Sequence, residues 1–305
     1  MDYGETMKST DSSHIRPIYV GIDGTDVAVE AAEWAAAYGS VENRPVLLVH
    51  SLPDVRRSIV ASAILDEHLL DDELRTRGGQ LLHAVRSRVE ARYPDVQTDL
   101  MITTTPVAEF IAGVSKSAHL VVVGSHRTSV VSDLVLGSEV IKICNTAQCP
   151  VLVFRSVSAP LGDEHRPVVV GVDDSPESEL ALLTAFEYAR ALRAPLVVSN
   201  VWQIGTEVGL GYSACVIDWD AVRAERRLWL EATVDSVRTK FDDVEVSTSS
   251  TEGLPAYHLN SLSAHSRLVV VGGRAHTRLG GSLVGSIGQN LIHHSHCPVL
   301  IVHRA

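Results

Sequence analysis

The segment RPIYVGID at residues 16–23 returns as RPVVVGVD at residues 166–173, which is 150 positions later in the chain. Further on, LVVVG at residues 120–124 and CPVL at residues 149–152 each return 148 positions later. Near-constant offsets over most of the chain indicate a tandem duplication of one unit. A unit of this size is too long for a solenoid repeat and can bury its own core.

Composition narrows the class of protein. The chain has 305 residues, of which 45% are hydrophobic, and its formal net charge is −11. This composition is typical of globular domains, and the acidic balance argues against a dedicated nucleic-acid binder. Four cysteines without a C-x-x-C pair argue against a disulfide scaffold or a zinc ribbon. Residues 1–15 lack the apolar core of a signal peptide, and no apolar run reaches the ~18 residues of a membrane span. We therefore expect a cytoplasmic protein that does not enter the membrane.

The duplication sets the predicted domain boundaries. Residues 1–15 are predicted to form a flexible N-terminal tail, followed by a first domain over residues 16–155. Residues 156–165 contain Pro, Gly, Ser and mixed charges, which is typical of a linker. The second domain is predicted to occupy residues 166–305.

Each copy alternates short apolar runs with longer amphipathic stretches. Runs of Val, Ile and Leu with little alternation predict strands that are buried on both faces, as in a parallel sheet covered by helices. The sequence therefore predicts an α/β protein made of two tandem, doubly wound, Rossmann-like domains, each with a mainly parallel five-stranded sheet. The predicted strands span residues 18–22, 46–50, 96–103, 121–124 and 151–154 in the first copy, and 168–172, 196–200, 244–249, 269–272 and 299–302 in the second.

Unusual residues stand where ligands bind in such folds, outside the carboxyl ends of the strands. A carboxylate follows the first strand, a glycine ends the fourth, and a Gly-Ser pair is predicted to start the next helix. A helix start offers free N–H groups and a positive dipole end to an anion. The alternative is that the glycine ends a strand and the serine caps a helix. These residues are Asp23, Gly124, Gly137 and Ser138 in the first copy, and Asp173, Gly272, Gly285 and Ser286 in the second.

The two copies resemble the universal stress protein family, whose nucleotide-binding members carry G-x2-G-x9-G-[ST] between V-V-V-G and C-P-V-L-V. The resemblance implies that each half is Rossmann-like and binds ATP, with or without Mg. It also implies dimer-like pairing through the last strand, which two halves of one chain can satisfy between themselves. Pairing of whole chains into a homodimer stays open. Ser51 and Val201 fall at the position beside the adenine, and Ile287 follows the closing Gly-Ser.

The copies depart from the family pattern to different degrees. Arg127 and Ala275 replace the second motif glycine, and either costs about 1 kcal/mol if the backbone there is left-handed. After the closing Gly-Ser, the first copy has Glu139, which would repel a phosphate, whereas the second has apolar Ile287. The sequence therefore favours nucleotide binding in the second half over the first.

Other patterns are weaker. His293, His294, His296 and Cys297 invite a metal site, but only the cysteine recurs in the first copy, so no metal site is predicted. Residues 209–214 resemble G-x-G-x-x-A but lie far from the first strand. No Walker motif and no G-x-S-x-G elbow occurs, and no catalytic residue is predicted. We therefore expect an ATP-binding stress sensor or regulatory module with an unidentified protein partner. The alternatives are a ligand-free scaffold for protein interaction and a slow ATPase.

Overall fold

The computed structural model describes residues 15–53, 67–125, 133–156, 165–203, 218–273 and 284–303, with the backbone alone at residues 67 and 133–138. Several predicted features lie outside these residues. They are most of the N-terminal tail and of the linker, Arg127, Ala275, and the stretch at residues 209–214.

The predicted strands are present within the described residues, with shifts of one to three residues at some ends. Their bounds are β1 (Ile18–Gly21), β2 (Val46–Ser51), β3 (Thr98–Thr103), β4 (Leu120–Gly124), β5 (Val151–Phe154), β6 (Val168–Val172), β7 (Leu196–Trp202), β8 (Val246–Glu252), β9 (Leu268–Gly272) and β10 (Val299–Val302). Within each half the five strands are parallel. The predicted doubly wound α/β fold class is therefore confirmed.

The two halves share one sheet. β5 pairs with β10 in the antiparallel sense, which gives ten strands in the order β3-β2-β1-β4-β5-β10-β9-β6-β7-β8. Leu152 pairs with Leu300, its own counterpart in the duplication. A pseudo-twofold axis therefore passes between these two residues, and the last strands join the halves as the family resemblance implies.

Eight helices of the described chain cover the two faces of the sheet. They are α1 (Asp26–Glu42), α2 (Glu67–Arg92), α3 (Val107–Val114), α4 (Asp133–Thr146), α5 (Pro176–Ala191), α6 (Trp219–Arg238), α7 (Pro255–Ser263) and α8 (Ser286–His294). One core cluster lies under α1, α2, α5 and α6, and the other under α3, α4, α7 and α8. Neighbouring strand residues face opposite clusters, as Val121 and Val122 do.

Counterpart residues also meet away from the sheet, where α1 lies beside α5. The Tyr38 and Tyr188 rings are stacked with their centroids 4.6 Å apart and their planes 6° apart. Trp34 stacks on both tyrosines. This aromatic cluster buries three large side chains between the halves and so adds apolar contact to the strand pairing.

Two short helices, α3 and α7, have no clear signature in the sequence. They are eight and nine residues long, and no side chain caps either start. Such short helices give too few turns for a clear 3.6-residue period.

The start of α4 corrects another prediction. Gly137 and Ser138 were expected to open this helix, but α4 already includes Asp133. Gly137 and Ser138 are therefore the fifth and sixth residues of the described helix, where N–H groups bond to carbonyls four residues back. A single internal glycine costs a helix only about 1 kcal/mol, so Gly137 can lie within α4. In the second half, α8 begins at Ser286, immediately after Gly285.

None of the helices in the described ranges combines the length and apolar character needed to cross a bilayer.

Candidate functional site

A cavity of about 390 Å³ lies in the second half, where the carboxyl ends of β6, β7 and β9 meet the start of α8. Five of the six residues predicted for this half line it: Asp173, Val201, Gly272, Gly285 and Ile287. The sixth, Ser286, is exposed and lies between Gly285 and Ile287 at the start of α8. The structure therefore brings the predicted residues of the second half together at one crevice.

The start of α8 gives this cavity an edge of backbone N–H groups. Gly285 is the N-cap, with extended backbone and no side chain that could cap the helix. The N–H of Gln289 donates to the Gly285 carbonyl at 2.9 Å, which closes the first turn. Helix geometry leaves the N–H groups of residues 286–288 without intrahelical acceptors. No acidic residue lies in this first turn, so the positive end of the dipole is available to an anion.

Asp173 lies at the exposed rim of the cavity and is fixed in orientation. Its Oδ1 accepts hydrogen bonds from the backbone N–H of Ser175 at 3.0 Å and from the Ser175 hydroxyl at 2.5 Å. The same hydroxyl accepts from the Ser178 N–H at 3.3 Å and so caps α5. A carboxylate held in this way can accept further hydrogen bonds from the hydroxyl groups of a ligand.

Apolar side chains and a further buried hydroxyl also line the cavity. Val201, Leu259 and Val271 contribute side chains, and Ser199 lies among them. Ser199 is 1% exposed, and its Oγ has no hydrogen-bond partner within the described part of the chain. A buried hydroxyl in that state is costly, so Ser199 joins the candidate residues of this site. Ser199 is not among the predicted site residues, although a serine within the apolar run of β7 is a visible signal in the sequence.

Packing of α5 against β9 explains why position 272 is a glycine. A Cβ at this position would lie 2.8 Å from the Glu177 carbonyl oxygen, so the missing side chain lets the first turn of α5 approach β9. In the first half, a Cβ on Gly124 would lie 3.2 Å from the Ala28 nitrogen. Helix packing therefore explains both glycines, and neither glycine by itself indicates a ligand.

The first half reproduces only part of this arrangement. Asp23 accepts hydrogen bonds from the Thr25 N–H at 3.0 Å and from its hydroxyl at 2.6 Å, as Asp173 does with Ser175. The Ser51 hydroxyl donates to the Thr105 carbonyl at 2.9 Å. Glu139, in the second turn of α4, forms an ion pair with Lys142 at 2.5 Å. The strand ends thus match those of the second half, whereas the helix start does not.

The histidine-rich stretch before β10 lacks the features of a metal site. His293, His294 and His296 are exposed, whereas Cys297 is fully buried. Burial raises the pKa of the Cys297 thiol to about 12, so it stays protonated at neutral pH and is a poor metal ligand. Among the residues with described positions, no group of three or more His, Cys, Asp or Glu could hold a metal ion.

Comparison with known proteins supports the family resemblance that the sequence indicates. The family model of the universal stress protein family matches residues 14–155 and again residues 164–303. A universal stress protein of Mycobacterium tuberculosis is 30% identical over 300 residues, covering 94% of this chain and 97% of its own. One of Mycolicibacterium smegmatis is 28% identical over 294 residues, covering 93% and 96%.

Solved structures agree on the fold. The crystal structure of a universal stress protein from Archaeoglobus fulgidus superposes with a TM-score of 0.68 at 17% identity, covering 95% of this chain and 96% of that one. A universal stress protein structure from Pseudomonas aeruginosa gives a TM-score of 0.57 at 16% identity, covering 95% and 93%. The chain, with its two matched halves, belongs to the universal stress protein family.

Proposed function

We infer that the second half binds ATP, with or without Mg, and that the protein is a stress-response regulatory module. The observation that carries this inference is the start of α8. Its N–H groups open, without a side-chain cap, on the same cavity as the Asp173 carboxylate. An anion site beside a fixed hydrogen-bond acceptor suits a nucleotide, which joins phosphates to a ribose.

The parts of the cavity suit the parts of a nucleotide. The apolar interior with the Ser199 hydroxyl suits a base, Asp173 suits the ribose hydroxyls, and the start of α8 suits the phosphates. A volume of about 390 Å³ falls within the range of roughly 300–1,000 Å³ that is usual for small-molecule sites. Backbone N–H groups supply the local positive field, so the net charge of −11 does not exclude a polyanion.

The ionisable groups of the lining favour binding without turnover. Asp173 and Glu177 are the ionisable side chains among the described residues that line the cavity. Neither is a cation, so charge on a transferring phosphoryl group would have to be stabilised by Mg or by residues outside the described part of the chain. The described lining therefore supports binding more directly than turnover. We propose that the module acts in the cytoplasm through a protein partner.

The structure of the first half favours the alternative of a ligand-free scaffold for that half alone. Its Gly137 and Ser138 lie inside α4, so their N–H groups face carbonyls of the preceding turn instead of a ligand. We propose that the first half carries no nucleotide and contributes structure.

Calorimetry with ATP tests this proposal through a matched pair of variants. Asp173→Ala removes an acceptor at the rim of the proposed site, so we expect the ATP affinity to fall about tenfold, or about 1.4 kcal/mol. Asp23→Ala removes the equivalent carboxylate of the first half and should leave the affinity unchanged. Circular dichroism checks that both variants fold.

Two outcomes would overturn the proposal: no ATP binding by the unmodified protein, or equal effects of the two substitutions. Release of phosphate from Mg-ATP, followed over hours, separates a binding module from a slow ATPase. A stoichiometry of one nucleotide per chain is expected, whereas two would place a second site in the first half.

A further inference from the structure

We propose that the first half positions the nucleotide site of the second half, and that Asn145 is the residue through which it does so. This rests on the proposed function, because it concerns the phosphate end of the same cavity. Asn145 lies in the last turn of α4, in the first half. Its Oδ1 accepts a hydrogen bond from the backbone N–H of Val284 in the second half at 2.7 Å.

Val284 is the residue immediately before the N-cap of α8, and both its side chain and its backbone carbonyl make contacts with neighbouring residues. Its side chain is 2% exposed. Its carbonyl accepts from the Gln289 Nε2 at 3.0 Å. A Cβ on Gly288 would lie 2.6 Å from the Val284 Cγ1, so the side chain packs directly onto the first turn of α8. The hydrogen bond from Val284 to Asn145 fixes the remaining backbone group of this residue.

The position of Val284 determines where the N–H groups of α8 point. Gly285 follows it directly, and a glycine at the N-cap has wide conformational freedom. Without an external anchor at Val284, that freedom would let the helix start take several directions. The bond to Asn145 therefore holds the N–H groups of residues 286–288 toward the cavity.

The other end of α8 is also held by the first half. Arg155, which follows β5 and is 2% exposed, donates from Nη1 to the Ile292 carbonyl in the last turn of α8. The helix is nine residues long, so contacts from the first half meet both of its ends. A short helix held at both ends by a neighbouring unit cannot shift without breaking one of these bonds.

The second half does not have the same residues with which to hold α4 of the first half. His293 occupies the position equivalent to Asn145 and is exposed, and His303 occupies the position equivalent to Arg155. Leu136, the counterpart of Val284, already lies within α4. The two halves therefore have different roles: one supplies the site and the other holds its anion-binding helix in place.

Calorimetry on the full chain with two ligands tests this role. Asn145→Leu keeps the size of the side chain but removes the acceptor, and Asn145→Ala removes it without added bulk. We expect either variant to bind ATP about 3- to 10-fold more weakly, the range for one lost hydrogen bond, and to bind adenosine as the unmodified protein does. Thr146→Ala, at an exposed position next to Asn145 in the same turn of α4, is the control and should bind both ligands normally.

The comparison of ligands separates positioning from general destabilisation. Unchanged ATP affinity in both Asn145 variants, or equal losses for ATP and adenosine, would overturn the positioning role. If Asn145→Leu fails to fold, Asn145→Ala carries the test alone. Failure of the unmodified protein to bind ATP would instead refute the proposed function, so the two failures are distinguishable.

Discussion

The two crevices of this protein share a fold but differ at the points where a ligand would bind. In each crevice an aspartate comes after the first strand of that half, β1 or β6. Its Oδ1 accepts a hydrogen bond from the backbone N–H of the residue two positions later. In the second half, an uncapped helix begins beside that aspartate, whereas in the first half the helix already includes the preceding residues. The second crevice buries Ser199, and the equivalent residue of the first is Val49, which is 2% exposed.

This difference shows which features a duplicated domain keeps for packing and which serve a ligand. Gly124 and Gly272 both permit a helix to approach a strand, so each is needed for packing in its own half. His50 and Asn200 are equivalent, and each bonds from its side chain to the carbonyl before the aspartate, at 2.7 and 2.9 Å. The features found in the second half alone, the start of α8 and the buried hydroxyl, carry the case for a ligand.

The largest expected effect comes from copying a residue of the first half into the second. Ile287→Glu places in the first turn of α8 the carboxylate that Glu139 supplies in α4. A carboxylate near bound phosphates repels them by several kcal/mol at short range, so ATP affinity should fall about 100-fold, or about 3 kcal/mol. Calorimetry at two salt concentrations measures the loss, which should shrink as screening increases.

Stability serves as the internal control for this variant. An acidic residue in the first turn favours a helix, which offsets part of the apolar contact that Ile287 makes with the core, so the melting temperature of Ile287→Glu should fall only slightly. The reciprocal Glu139→Ile should create no second site, because Gly137 and Ser138 remain inside α4. Unchanged ATP affinity in Ile287→Glu would contradict the assignment of α8 to the phosphates.

The next effect concerns the pH dependence of stability at a position where the two halves differ, His303 in the second half and Arg155 in the first. Burial lowers the pKa of His303 from 6.5 to about 4, whereas its counterpart Arg155 stays charged. Between these pH values the unfolded chain binds the proton more readily than the folded one, so acid favours unfolding. The contribution of His303 is fully present above pH 6.5 and should decrease by about 2 to 3 kcal/mol as the pH falls to 4, since each pKa unit corresponds to about 1.4 kcal/mol.

Urea unfolding at a series of pH values measures this slope. His303→Gln should flatten the curve between pH 6.5 and 4, while His294→Gln, at an exposed position, should leave it unchanged. Part of the slope should persist in His303→Gln, because burial also lowers the pKa of His119 to about 4. An identical slope in the protein with and without His303 would show that this side chain is not buried as a neutral group.

The sequence predicted the fold well and the site in part, for reasons that lie in the range of the interactions involved. Apolar runs such as Val168–Val172 predict buried strands because burial on both faces leaves a local signature. The bond between Asn145 and Val284 joins residues 139 positions apart, and no local pattern indicates it. Similarly, the Gly-Ser motif is the same in both halves, so it does not indicate that α4 already includes Asp133.

The smallest expected effect concerns the buried hydroxyl of the second crevice. Ser199→Val copies Val49 into this position and removes an Oγ that lacks a partner among the described residues. Replacing an unpartnered buried hydroxyl by an apolar group should leave the protein as stable or slightly more so. If the hydroxyl bonds to the ligand, ATP affinity should fall by about 1 kcal/mol, or about fivefold.

The reciprocal substitution makes this result interpretable. Val49→Ser buries a hydroxyl in the first half, where we propose no ligand, and should lower the free energy of unfolding by about 1 to 3 kcal/mol. Urea unfolding and calorimetry on both variants therefore give opposite patterns: Ser199→Val loses affinity without stability, and Val49→Ser loses stability without affinity. Loss of stability in Ser199→Val with unchanged ATP affinity would mean that the hydroxyl bonds within the protein. In that case, the difference between the two crevices would lie in α8 alone.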